Sequence, residues 1–202
     1  LNYLGHLFFS KDEPSLMLAN LFGDFVKGKD YTYLPEDVQR GVLLHRQIDD
    51  YVDHHPKVTE LRLMLYKDLP KIAGIAIDLY FDHLLAKQWK FYHNKNLFDY
   101  IDSFLSYALN PNHLTYKEKG FAYPQSFIHL LRIINEKNII KRYVEIEGLA
   151  FASTGLSKRL SFPNNLFEAV AVFHQHEKEI SATFDDYMTD AIKKFKINAP
   201  AL

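Results

Sequence analysis

The sequence predicts an all-α protein, folded as one compact multi-helix domain over residues 1–202. Three observations carry this. Apolar side chains recur every three or four residues along most of the chain, the period of a helix with one buried face. The breaks in that pattern fall at Pro or Gly, after runs of helical length. The few β-branched or aromatic pairs, Ile139-Ile140 and Tyr143-Val144, lie inside the helical period instead of alternating in and out.

Taken in order, Asp12-Glu13-Pro14 opens the first helix with an acid that can cap and a proline in the first turn. It runs to Val26 and stops at Gly28. Leu34-Pro35-Glu36-Asp37 opens the second, which carries Val38, Val42, Leu44, Ile48 and Val52 at helical spacing and ends near His55, before Pro56. A short helix over 56–66 follows. The run 72–89 is apolar nearly all round, which marks a buried central helix. Further helices are expected at 98–109, 115–135, 139–158 and 164–197, giving about seven to nine with short connections.

Composition narrows the function. Hydrophobic residues at 48% and charged residues at 24% exclude a disordered chain. Lys+Arg 24 against Asp+Glu 25 leaves a net charge of −1, so no global basic field points to nucleic acid. With Cys 0 there is no disulfide frame, thiolate metal site or cysteine nucleophile, and ten histidines remain as soft ligands. The apolar opening, residues 1–9, is far too short to span a bilayer, which takes roughly 20 residues. It also lacks the basic front and cleavage site of a signal peptide, so a soluble cytoplasmic protein is expected. Gly-rich phosphate loops, G-x-S-x-G elbows and H-E-x-x-H are missing, which leaves water activated by a metal.

Polar groups stand where a core should be. On the central helix Asp78 and Asp82 are four apart and share a face, with His83 next to Asp82. Burying two carboxylates calls for a compensating cation; a metal would serve, and so would a cap or an ion pair with Arg46 or Arg62. On the second helix His45, Asp49 and Asp53 follow one another at four-residue steps, a stripe suited to Mn²⁺, Fe²⁺ or Zn²⁺, or to an ordinary exposed His–Asp pair. Arg46 beside the stripe suits a phosphate oxygen. Asp24 sits near the end of the first helix, where the macrodipole disfavours an acid unless a cation answers it. His6, in an apolar context, is an outer candidate.

Taken together the segments resemble the acyl carrier protein phosphodiesterase family, a divergent branch of the HD-type metal phosphohydrolases. The resemblance rests on N-Y-L-G-H-L at 2–7, N-L-F-G-D-F-V-K-G at 20–28, G-x-x-x-H-R-x-I-D at 41–49, D-x-x-P-x-V at 53–58 and D-x-x-x-D-H-x-L at 78–85, and it covers nearly the whole chain. It implies an HD-like fold and hydrolysis of holo-acyl carrier protein to the apo form and 4′-phosphopantetheine, within fatty acid biosynthesis. It also implies Mn²⁺, or another divalent ion such as Fe²⁺ or Mg²⁺. The usual H…HD…D order is not kept: His45 precedes an arginine, and Asp82-His83 runs in reverse.

The expected metal ligands are then drawn from Asp24, His45, Asp49, Asp82 and His83, and the catalytic groups from Asp24, Arg46, Asp49, Asp78 and His83. Lys27, Lys29, Arg40, Lys158 and Arg159 are the expected basic contacts to an acidic carrier protein, with Lys137, Lys141 and Arg142 as a neighbouring basic set. Two other readings fit the residues: an HD-like phosphohydrolase acting on a small nucleotide or phosphoester, and a non-catalytic helical binding module.

Overall fold

A computed structural model describes residues 1–198 and Pro200. The described residues contain eleven α-helices and one small hairpin, so the all-α expectation is met. The helices are α1 (Tyr3–Phe8), α2 (Pro14–Phe22), α3 (Glu36–His54), α4 (Pro56–Leu65), α5 (Ala73–Lys87) and α6 (Trp89–Tyr92). They continue as α7 (Leu97–Ala108), α8 (Gln125–Glu136), α9 (Ile146–Ser157), α10 (Ala169–Gln175) and α11 (Glu177–Phe195).

The apolar α5 is the central post, as its composition predicts. Leu79, Tyr80, Phe81, Leu84 and Leu85 are all buried, and α1, α4, α9 and α11 pack around it. Beside it α2 lies along α3 at close range. Gly41 makes that approach possible: a Cβ there would stand 2.3 Å from the Ala19 Cβ. This contact matters for function, because α3 carries His45 and Asp49 while α2 leads into Asp24.

Several expected helices are shorter than their periodicity suggests. The opening segment, read only as an apolar run, forms α1. The central helix breaks at Gln88, separating α5 from α6. The expected helix over 115–135 begins instead as an antiparallel hairpin, β1 (Thr115–Tyr116) with β2 (Phe121–Ala122). Gly120, at φ 60°, makes its turn, and α8 starts only after Pro124. Phe121 and Tyr123 meet the Phe22 ring edge-on, at centroid distances of 6.0 and 5.0 Å, so aromatic packing holds the hairpin.

The segment 139–158 divides into a 3₁₀ turn, Lys141–Val144, and α9. Extended backbone at Glu145 separates them. Gly148 lets the first turn of α9 lie directly on the Arg142 carbonyl, where a Cβ would collide. The last expected helix is interrupted at His176, giving α10 and α11. No described helix is long and apolar enough to cross a membrane.

Candidate metal centre

The site begins with an internal capping problem. A short helix such as α1 leaves its first N–H groups without partners, and no side chain of its own caps it. Asp82, from the middle of α5, supplies the acceptors. Its Oδ2 accepts from Leu4 N–H at 2.7 Å, and its Oδ1 accepts from Gly5 N–H at 3.0 Å and Asn2 N–H at 3.3 Å. Burial still pushes this carboxyl up, to about 7, despite those donors. Asp82 therefore holds α1 against α5.

What α1 carries is His6, and its ring is fixed through a closed network. Ser10 Oγ donates to the His6 carbonyl at 2.7 Å. Asn20 Nδ2 donates to the same carbonyl and to Ser10 Oγ, each at 2.9 Å. Asn20 Oδ1 is therefore turned to His6 Nδ1, 2.9 Å away, and accepts the hydrogen bond of its N–H. In the neutral ring the lone pair is then on Nε2.

That nitrogen faces Asp49 Oδ1 at 3.2 Å. Asp49 Oδ2 lies 3.1 Å from His45 Nε2, one helical turn away on α3, and Asp24 Oδ1 approaches the same nitrogen at 3.4 Å. The His6 and His45 rings stack, with centroids 4.2 Å apart and planes 17° from parallel. Gly23 underlies the His45 ring; a Cβ at this position would come within 2.3 Å of it. Among the described residues, the potential ligand atoms of His6, His45 and Asp49 all lie within 4.8 Å of one another.

The electrostatics of this group call for a proton or a metal ion between the imidazoles and the carboxylates. An imidazole lone pair facing a carboxylate at hydrogen-bond distance is repulsive unless a proton or a metal ion lies between them. Burial alone would lower the His45 imidazole, but Asp24 and Asp49 reverse this and push it up to about 9. Burial lowers His6, against the pull of Asp49. Asp49 is itself held well below the ordinary carboxylate range, because the hydrogen bonds and charges of His45 and His6 outweigh its burial. Asp24 is lowered too, chiefly by its bond to His45. Two imidazoles and a carboxylate converging in this way fit a divalent ion of intermediate hardness.

His6, Asp24, Asp49 and Asp78 open onto one cavity of about 650 Å³, which also meets Lys137 and Arg159. Asp78 is half-buried there, with the Leu1 backbone nitrogen 2.6 Å from its Oδ1. Spacing brought His45 and Asp49 into the candidate set, an acid misplaced at a helix end brought Asp24, and the structure puts the three together. His6, kept outside that set, stands at its centre; the signal for it was a histidine on an apolar segment close to Asn20-Leu21-Phe22-Gly23-Asp24.

Other candidates are engaged elsewhere, and here the expectations are corrected. Asp82 is occupied by backbone donors, as above. His83, a quarter turn further round α5, is directed away from the cluster: its Nδ1 lies 2.7 Å from the Tyr143 carbonyl and the N–H donates to it. The Arg46 guanidinium donates to the carbonyls of Val26, Gly28 and Lys29 and lies over the Tyr31 ring, 4.8 Å from its centroid. It ties down the loop after Asp24 and does not line the cavity described above. Arg40 is paired with Glu13 at 3.2 Å and Asp37 at 3.7 Å. Lys27, Lys29 and Lys158 are exposed, and Arg159 is exposed at the cavity.

Comparison with known proteins gives relatives of one name. Curated relatives named acyl carrier protein phosphodiesterase include one from Photorhabdus laumondii, 28% identical over 91% of this chain and 89% of the relative. One from Yersinia pestis is 28% identical over 91% of this chain and 93% of its own length. One from Salmonella agona is 36% identical over a shorter stretch, 44% of this chain and 46% of the relative. No solved structure matches. The family model described as acyl carrier protein phosphodiesterase matches residues 1–191, spanning every residue of the cluster, and the chain belongs to that family.

Proposed function

We propose that this protein hydrolyses holo-acyl carrier protein, with a divalent ion held by His6, His45 and Asp49. The observation that carries the reading is the convergence of those three side chains, of which His6 and Asp49 line a ligand-sized cavity. Two imidazoles and a carboxylate favour Mn²⁺ or Fe²⁺ over Mg²⁺, which prefers oxygen donors. When bound, such an ion supplies Lewis acidity and lowers the pKa of water.

The chain's own residues do the rest. Asp24, ionised and exposed beside His45, orients the attacking water and accepts its proton. Asp78 is a second acid on the same cavity. Lys137 and Arg159 offset charge on the phosphoryl oxygens. Water adds to phosphorus, the bond to the carrier serine oxygen breaks, and that oxygen leaves as the serine hydroxyl by taking up the proton that Asp24 accepted from water. The products are apo-carrier protein and 4′-phosphopantetheine. Carrier proteins are acidic, so exposed Lys27, Lys29, Lys158 and Arg159 support their approach. A chain with Cys 0 suits a cytoplasmic setting in fatty acid biosynthesis.

The test is intact-mass analysis of holo-carrier protein incubated with the enzyme and Mn²⁺. Loss of the phosphopantetheine group is expected, and it should stop with a chelator and in His45→Ala and Asp49→Ala. An unchanged carrier mass, or full turnover in both variants, would overturn the reading.

A further inference from the structure

His6 and Asp49 of the candidate metal cluster line the cavity and leave most of its space unexplained. A volume of about 650 Å³ lies within the roughly 300–1,000 Å³ of small-molecule pockets. It far exceeds an ion and its waters, at roughly 30 Å³ for each water. Two helix faces form part of the remaining wall, beside Val52, Ile75, Leu79 and Ile139. Leu130 and Ile133 lie one turn apart on α8, with Lys137 just past its end. On α9 the lining residues Phe151, Ala152, Gly155 and Leu156 repeat at helical spacing, with Arg159 beyond the last turn.

Gly155 gives this wall its shape. Glycine inside a helix costs about 1 kcal/mol relative to alanine, so its presence in α9 asks for a reason. Packing does not provide one: a Cβ built there meets nothing within 4 Å. This contrasts with Gly23, Gly41 and Gly148, where a neighbour stands in the way. At 155 the missing side chain enlarges the cavity itself.

The chemistry of the wall is mixed. Among the aliphatic side chains stand the Asn2 amide and Tyr143 hydroxyl, bonded to each other at 3.0 Å, together with Tyr3. A pure hydrocarbon chain would strip water from these polar groups without replacing it. A chain alternating amides with short aliphatic links satisfies both kinds of surface.

We infer that the α8–α9 wall, with Gly155 as its cradle, is the subsite for the pantetheine arm of the carrier protein's prosthetic group. This rests on the proposed phosphodiesterase reading, and it places the arm along Ile133, Gly155 and Leu156 while the phosphodiester meets the His6–His45–Asp49 cluster. The two ideas are separable by experiment. Free pantetheine, which carries no phosphate, is titrated into the protein with methyl groups carbon-13 labelled, and Mn²⁺ binding is measured in parallel. Pantetheine should shift the methyls of Ile133, Ile139 and Leu156. Gly155→Phe, which fills open space and gains helix propensity, should weaken pantetheine binding roughly tenfold or more while Mn²⁺ affinity stays within about twofold. Thermal melting checks that the variant is folded.

Failure of wild type to bind Mn²⁺ would sink the phosphodiesterase reading while the pantetheine titration still reports on the wall. Absence of methyl shifts in wild type, unchanged pantetheine affinity in folded Gly155→Phe, or shifts given only by a medium-chain fatty acid would overturn the subsite.

Discussion

Asn20 decides how His6 presents itself. It is fully buried, and each of its side-chain atoms is used: Nδ2 on the His6 carbonyl and Ser10 Oγ, Oδ1 on His6 Nδ1. The carbonyl bond orients the amide, and the oriented amide selects the ring tautomer. Partners of this kind, one step removed from a metal, affect its affinity by about 10–100-fold. Asn20→Leu keeps the volume but removes every bond, leaving buried polar atoms at a cost of about 1–3 kcal/mol. The variant should unfold at lower urea concentration and bind Mn²⁺ at least about tenfold more weakly. Wild-type Mn²⁺ affinity in a folded variant would show that the tautomer is not set here. His6 was the residue least visible in the sequence for this same reason. A buried histidine with an amide partner reads as a satisfied core residue until the other face of its ring is known.

Elements explain which parts of the site were legible. His45 and Asp49 sit four apart on α3, so one helix presents both and spacing alone finds them. The stacking of His6 on His45 joins α1 to α3 and has no local signature. Asp82 shows a deeper ambiguity. A carboxylate on an apolar helix can be neutralised by a cation or by the free N–H groups of another helix, and α1 provided the second. Arg46 is similar, since an arginine beside an acidic stripe serves a phosphate or a loop equally well. Most helices were legible, whereas the hairpin turn at Gly120 depends on packing of Phe121 and Tyr123 against the distant Phe22. Glycines test the helix packing directly. Gly41→Ala drives a Cβ into Ala19 across the α2–α3 contact and should lose about 1–3 kcal/mol. Gly155→Ala meets nothing and should gain up to about 1 kcal/mol. Urea denaturation of the pair checks this, and similar midpoints would contradict the assigned packing.

At the scale of the whole molecule, the cluster joins segments far apart in the chain: α1 contributes His6, the turn after α2 contributes Asp24, and α3 contributes His45 and Asp49. The unfolded chain cannot gather these ligands, so an ion bound there stabilises only the folded state. At a free concentration about one hundred times its dissociation constant, such an ion adds about 2.7 kcal/mol. For a chain of this size each kcal/mol raises the melting temperature by about 2–4 °C, so a rise of roughly 5–10 °C is expected with saturating Mn²⁺. Mg²⁺ at the same concentration should do less, because two of the three ligands are imidazoles. His45→Ala should melt at the same temperature with and without Mn²⁺. An equal rise for wild type and His45→Ala would place the ion elsewhere on the surface. An equal rise with Mg²⁺ and Mn²⁺ would mean that oxygen ligands, not the stacked histidines, do the holding.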